Sequence, residues 1–389
     1  MVGGIRSESR AGIPRNGGRD HLGIRIAVVG TGMFARITAM PGLALAKGAV
    51  MSGVFDIDAA AARKAADEYG TTCFDSLDAL LASKPDLVYL STPPSSHVAL
   101  LDRVIGAGCN VLCEKPMCTT TAEVENALAR AEAKGLLHAV DHEWRYTSAY
   151  KTIRQMVQDG TLGEVRNVSV SICVNYGVVE GWPPYYANFA TMKAESGGVV
   201  PQLLSHFCDL FEFLFGGLEA SGAALSTMIP YKPRSQADPA LAFVDAEDSC
   251  ALSGFLPNGA PAAISATWVA TAPTGVQWTI SGSGETVIYR TGGLLNGGKL
   301  GLVTPEFTLR EVEQVPEYNP EVMGDGGNRE YQHGLFAAEI EDIAAALGSG
   351  RTTGQFATFA DEVAVRRNIE RWRASGIRAG TIVKERTGG

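Results

Sequence analysis

The chain has 389 residues, room for two or three domains at roughly 150 residues each. Hydrophobic residues make up 46% and charged residues 19%, with 45 Gly and 18 Pro, a composition that excludes disordered, collagen-like and low-complexity proteins. A net charge of −9 without a long basic run argues against holding nucleic acid or an anionic membrane by charge alone.

The first 22 residues carry four Arg and many Gly but no apolar run. They lack the hydrophobic stretch of a secretory signal and are expected to form a mobile tail. From residue 24 the pattern becomes regular. IRIAVVG is a short apolar, β-branched run closed by Gly, as in a buried parallel strand. Residues 33–46 read as a helix that Pro41 and Gly42 should break or kink. VMSGVFD, DLVYLST, NVLCEK and LLHAVDH read as further strands, and residues 59–69, 97–107 and 121–134 as helices between them. Strand and helix alternate with short joints as far as residue 143, the pattern of a doubly wound parallel sheet.

The rhythm then changes. Residues 148–159 look helical, and VRNVSVSICVN (165–175) alternates like a half-exposed antiparallel strand. An irregular aromatic loop covers 176–195, and an apolar helix covers 198–215. Four strand-like segments follow, DSCALSGFL, AAISATWVA, VQWTISGS and ETVIYR, and helices at 329–347 and 359–374 close the chain. The expected fold class is therefore α/β, residues 23–143 forming the parallel domain and residues 144–389 a second, α+β domain with an open, mainly antiparallel sheet. The seven scattered cysteines suit reduced thiols in a cytoplasmic protein. The most apolar stretch, residues 199–218, contains His206, Asp209 and Glu212 and is not read as a membrane span.

The first strand runs directly into Gly30-Thr31-Gly32-Met33-Phe34-Ala35, a G-x-G-x-x-A turn. Gly30 allows the tight turn, Gly32 lets the backbone approach a pyrophosphate, and small Ala35 lets helix and strand pack closely. The N–H groups opening the next helix then attract the phosphates. Asp56 ends the second strand, where an acid binds ribose hydroxyls and repels a 2′-phosphate, favouring NAD over NADP. Asp58 reads as the cap of the following helix. An S-adenosylmethionine-dependent methyltransferase would also want an acid at the position of Asp56.

Ligands of open α/β sheets sit beyond the carboxyl ends of the strands. Three polar groups fall there: Ser91-Thr92-Pro93-Pro94 with His97, Glu114-Lys115-Pro116, and Asp141-His142-Glu143-Trp144-Arg145. A lysine beside a cofactor can move a proton on or off a hydroxyl, so Lys115 is a candidate, its alternative being a surface Lys paired with Glu114. Arg145 can reach substrate or the nicotinamide carboxamide, or form a structural ion pair. Trp182, Tyr185, Tyr186 and Phe189 can stack on a sugar ring or pack against another subunit. His138 and His142 have a spacing that makes one face only on a helix, so no metal site is read.

GTGMFA, Asp56, STPPSSH and CEKP, in this order, resemble the glucose–fructose oxidoreductase / inositol dehydrogenase (Gfo/Idh/MocA) family. DHEWRY, DGTLGEVRNV and SGGVVPQLLSHFCDLFEFLFG extend the resemblance over residues 24–374. It implies a Rossmann dinucleotide-binding domain, an open sheet that often mediates homo-oligomers (dimer or tetramer), and oxidation or reduction of a sugar, inositol or related polyol with NAD(P). It further implies that Lys115 touches the nicotinamide side and the reacting oxygen, that Thr92, Pro93 and His97 line the cofactor cleft, and that Glu114 orients ribose or Lys115.

The family's second-domain helix usually reads D-x-G-x-H-x-x-D. Here His206 and Asp209 match, while Gln202 and Leu204 replace the first Asp and the Gly. On one helix Gln202 and His206 would share a face. A neutral His suits removal of a hydroxyl proton, so proton transfer is assigned to Lys115 and His206 and substrate binding to Gln202 with Arg145, Trp182 and Tyr186. His206 can alternatively be a core histidine bonded to Asp209. Gln202 leaves open a member that binds NAD without net redox turnover: a ligand-sensing regulator, or a lyase or glycosidase using held NAD.

Overall fold

The computed structural model describes residues 23–294, 297–304, 306, 308–316, 329–350 and 354–378. The tail expected at 1–22 lies outside them. The first sheet has five parallel strands in the order β2-β1-β3-β4-β5: β1 (Ile24–Val29), β2 (Ala49–Phe55), β3 (Leu87–Leu90), β4 (Asn110–Cys113) and β5 (His138–Val140). The apolar runs seen in the sequence are buried on both faces: β3 has no exposed residue, and the last four residues of β1 are buried.

Local chemistry sets the helices between these strands. Asp58 caps α2 (Ala59–Tyr69) through the N–H groups of Ala60 and Ala61. Ser76 caps α3 (Leu77–Ala82). A capping box of Thr120 and Glu123 starts α5 (Thr121–Ala133). The helix expected at 33–46 is found as one helical stretch from Met33 to Leu45, with a π-helical turn at Ala35–Ala39 that leads into α1 (Met40–Leu45), where Pro41 lies. Pro41 brings no N–H to the helical ladder, and the widened π-helical turn just before it is the irregularity expected of a helix that contains a proline. Helix α4 runs Pro94–Gly106.

The second sheet has nine strands in the order β15-β14-β13-β12-β6-β11-β10-β7-β16. Its centre is β6 (Val165–Cys173), antiparallel to β12 (Gly275–Gly282) but parallel to β11 (Pro261–Thr267). Strands β7 (Glu219–Ser226), β10 (Ser249–Phe255), β13 (Thr286–Thr291), β14 (Lys299–Val303), β15 (Leu309–Glu311) and β16 (Ile377–Arg378) complete it, and β8 (Tyr231–Pro233) pairs with β9 (Leu241–Phe243) apart from it. Strict alternation of buried and exposed residues along β10 and β11 turns one face inward. Against it lie α6 (Ser148–Gln158) and α8 (Leu204–Phe215), in a core that includes Trp278, Phe207, Phe211 and Tyr150.

The division into 23–143 and 144–389 follows the chain, but the packing crosses it. From α9 (Arg329–Ser349), Phe336, Ala337, Ile340 and Ile343 enter the core beside β1 and α1. Helix α10 (Phe359–Ser375), begun by a capping box of Thr358 and Asp361, places Phe359 in the core of the first sheet and Val365, Ile369 and Trp372 in that of the second. The C-terminal helices therefore fix the two sheets relative to each other. No helix among the described residues is long and apolar enough to cross a membrane.

Candidate active site

At the end of β1 the chain turns at Gly30, whose φ is +93°. A Cβ there would stand 2.3 Å from the Ser91 carbonyl oxygen, so only glycine lets the turn pass this close to β3. Gly32 is the opposite case: a Cβ there would meet no heavy atom within 4 Å. Gly32, Met33 and Phe34 border a cleft, while Ala35 is buried behind it. Gly30 and Thr31 stand behind that wall and shape it. Thr31 donates to the Asp56 carboxylate from its N–H (2.6 Å) and its hydroxyl (3.0 Å), and the Asp58 N–H donates to the other oxygen at 2.9 Å. Asp56 thus braces the glycine turn against the end of β2.

Thr92, Pro93, Glu114 and Lys115 border the same cleft. His97 does not, which corrects the expectation for it. It is fully buried on α4, Nδ1 lies 2.9 Å from the Met117 carbonyl, and burial pushes its pKa down to about 4 against the backbone hydrogen bonds that raise it. It supports the wall that Thr92 and Pro93 present. Glu114 is nearly buried. The Tyr89 hydroxyl lies 2.9 Å from Asp141 and 3.3 Å from Glu114. Burial, then the charge of Asp141, push Glu114 well above the usual carboxylate range, with Lys115 opposing.

Sequence reasoning missed how many acids meet here. Asp141, Glu143 and Glu339 join Glu114, all held above their ordinary values, chiefly by burial. Glu143 borders the cleft with a buried, unpartnered Oε2. The run DHEWRY at a strand end was the signal for Asp141 and Glu143, whereas nothing in the sequence brings Glu339 to them across nearly 200 residues.

On the opposite wall, Gln202 ends α7 (Val199–Gln202) and His206 lies in α8. Leu203, at φ −110° and ψ −50°, interrupts the single helix expected over 198–215, so Gln202 and His206 reach the cleft from adjoining helices. The Gln202 side-chain amide donates to the Ser196 carbonyl (3.0 Å), and its main-chain oxygen accepts from Lys115 Nζ (3.2 Å). His206 is buried and stacked on Trp144, centroids 4.2 Å apart at 11°. Its Nδ1 is 3.3 Å from His142 Nδ1, and Asp209 is not its partner. Burial, then Lys115 and His142, push its pKa well below the ordinary imidazole value, so it is neutral.

Two further expectations are corrected. Arg145 is buried and donates twice to Asp209, Nε to Oδ2 at 2.7 Å and NH2 to Oδ1 at 2.6 Å; this fork turns it away from the cleft. Tyr186 lies off the cleft, its ring edge-on to Tyr185 and its carbonyl accepting from the Thr191 hydroxyl. Trp182 does border the cleft, stacked on Tyr176 at 4.6 Å. Tyr176, Trp144 and Trp268 complete an aromatic wall of which the sequence pointed only to Trp182 and Phe189.

Residues 24–142 match the family described as an oxidoreductase family with an NAD-binding Rossmann fold, and residues 150–288 match the GFO/IDH/MocA C-terminal domain. The chain belongs to the Gfo/Idh/MocA family. Among the relatives of this Gfo/Idh/MocA chain is a dTDP-3,4-didehydro-2,6-dideoxy-alpha-D-glucose 3-reductase from Streptomyces violaceoruber, 29% identical over 52% of this chain and 58% of that protein. The D-glucoside 3-dehydrogenase of Escherichia coli is 26% identical over 50% of this chain and 54% of its own length. The chain thus spans little more than half of these curated relatives. A levoglucosan dehydrogenase solved with NADH and L-sorbose has the same fold, with a TM-score of 0.77 at 19% identity, covering 90% of this chain and 96% of that one. The open space at Gly32, in a turn braced by the Asp56 carboxylate, fits the dinucleotide that this family's Rossmann fold binds.

Proposed function

We propose that this Gfo/Idh/MocA protein is an NAD-dependent oxidoreductase acting on a CH–OH group, or the corresponding ketone, of a sugar, inositol or related polyol. The observation that carries this reading is the meeting of Lys115 and His206 at one cleft that also opens onto Gly32. NAD supplies the hydride acceptor or donor. Gly32, Met33, Phe34, Thr92, Pro93 and Glu114 border the place of the dinucleotide, and Asp56 favours NAD over NADP.

Lys115, fixed to the Gln202 carbonyl, is placed to donate a hydrogen bond to the reacting oxygen. Neutral His206 takes the hydroxyl proton during oxidation and returns it during reduction. Gln202 has its amide nitrogen engaged, which leaves its oxygen to accept from a sugar hydroxyl. The faces of Trp182 and Tyr176 offer an apolar surface to the C–H groups of a ring. Both curated relatives described above are named for chemistry at position 3 of a glucose-derived sugar, which makes that position the first to test. All seven cysteines are free, as suits the cytoplasm, and the outward face of the nine-stranded sheet is the surface for a homo-oligomer.

The test is NADH formation by the purified protein over a panel of glucosides, nucleotide sugars and inositols. Turnover that is lost in Lys115→Met supports the reading. Saturable NAD binding without turnover on any member overturns it in favour of a binding or sensing role.

A further inference from the structure

Behind His206 stand two buried groups from elsewhere in the chain. His142, just past β5, has Nδ1 3.3 Å from His206 Nδ1 and Nε2 3.0 Å from Glu362 Oε2 on α10. His142 is 1% exposed and Glu362 fully buried, and Glu362 Oε1 has no hydrogen-bond partner. An isolated carboxylate is costly to bury unless a donor or a cation answers it. Here His142 answers with a hydrogen bond, and the buried Arg366 guanidinium one turn along α10 adds an attractive charge.

We propose that Glu362 and His142 are positioning residues that set the tautomer of His206 and receive the proton it removes from the substrate. The proposal rests on the oxidoreductase reading above. Donor and acceptor logic fixes the chain. A carboxylate only accepts, so His142 carries its proton on Nε2, toward Glu362. His142 must be neutral to receive a proton, so the relay works above its raised titration; its Nδ1 then accepts, and His206 donates from Nδ1. That leaves His206 Nε2 bare. Among the described residues this nitrogen has no hydrogen-bond partner, and it is not one of the fully buried unpartnered atoms, so it is the one the cleft reaches.

In oxidation the bound coenzyme would take the carbinol hydride, while the hydroxyl proton passes to His206 Nε2. The His206 Nδ1 proton moves to His142 Nδ1, and the carbonyl forms. The proton lost by the substrate thus ends on the His142 imidazolium, beside the Glu362 carboxylate. Reduction reverses each transfer.

The surrounding charges favour this direction. Burial lowers His142, but Asp209 and Glu362 together outweigh burial and Arg145 and hold it above an ordinary imidazole. His206 faces Lys115 and His142 and is pushed the other way. Glu143 Oε2, at 3.9 Å from His206 Nδ1, is too distant to compete for the hydrogen bond. The pair thus supplies from β5 and α10 the countercharge that Gln202 does not.

The experiment is 15N NMR of the histidine-labelled full chain without coenzyme, with His142→Gln and His206→Gln assigning the signals. The expected result, on the alkaline side of the His142 titration, is His206 protonated on Nδ1 and His142 on Nε2 alone. His206 protonated on Nε2 overturns the proposal. In Glu362→Gln, kcat for oxidation should fall on the order of 100-fold with KM unchanged, and the acidic limb of the kcat profile should move to lower pH. An unchanged kcat and profile in the folded variant also overturn it. The NMR result does not depend on turnover. The expected tautomers with no reaction on any sugar overturn the oxidoreductase reading and with it the relay, whereas turnover with the opposite tautomers overturns the relay alone.

Discussion

Lys115 Nζ donates to the main-chain oxygen of Gln202 at 3.2 Å, joining the loop after β4 to the last residue of α7. The ammonium is held by an acceptor on the far wall of the cleft, beside His206. Lys115→Met should therefore leave NADH binding within a few-fold and lower kcat by about 10²–10⁴-fold, the usual range for a proton-handling group. Stopped-flow and fluorescence titration separate the two quantities, and a parallel loss of affinity would place Lys115 in binding alone.

The two glycines of the turn should separate folding from coenzyme binding. Gly30→Ala puts a Cβ at 2.3 Å from the Ser91 oxygen in a left-handed conformation, which costs at least about 1–2 kcal/mol before any clash is relaxed. Gly32→Ala meets no protein atom and should change stability by less than about 0.5 kcal/mol, yet weaken NADH binding tenfold or more because the methyl stands where the pyrophosphate must approach. Urea unfolding and calorimetric titration of both variants check this.

Arg145→Met leaves Asp209 buried without its fork, a loss of about 3–5 kcal/mol in unfolding free energy. NADH affinity of the folded fraction should not change. An unchanged stability with weakened binding would return Arg145 to the cleft.

His97 makes stability depend on pH. Its folded pKa is about 4 against an unfolded value near 6.5, so between these values the unfolded chain binds more protons. Stability from this group is complete above pH 6.5 and falls as pH drops toward 4, by about 3 kcal/mol in all. Other groups titrate in the same window, Glu212 among them, raised to about 7 by burial and so acting in the opposite sense. The measurement is therefore the difference between wild type and His97→Gln, which should carry the whole His97 slope. A pH-independent difference would show that His97 is not held neutral.

Much of the fold was legible because short-range patterns report it directly. The apolar run of β1, the Gly30 turn and the Asp58 cap are local features with local causes. Helix α8 was legible as apolar, but its break at Leu203 was not, since no turn residue marks it. Strands β7, β14 and β16 were missed because they are held by their neighbours in the nine-stranded sheet, and their own sequences carry weak strand signals.

The candidate site divides along the same line. The chain by itself determined a dinucleotide turn with Lys115 beyond a strand end, because backbone conformation and strand polarity depend on adjacent residues. Only the tertiary structure decided that Arg145 turns to Asp209, that His97 faces inward, and that Glu362 and His142 stand behind His206. Those outcomes are competitions among partners up to 220 residues apart, settled by which charge can be buried next to which donor.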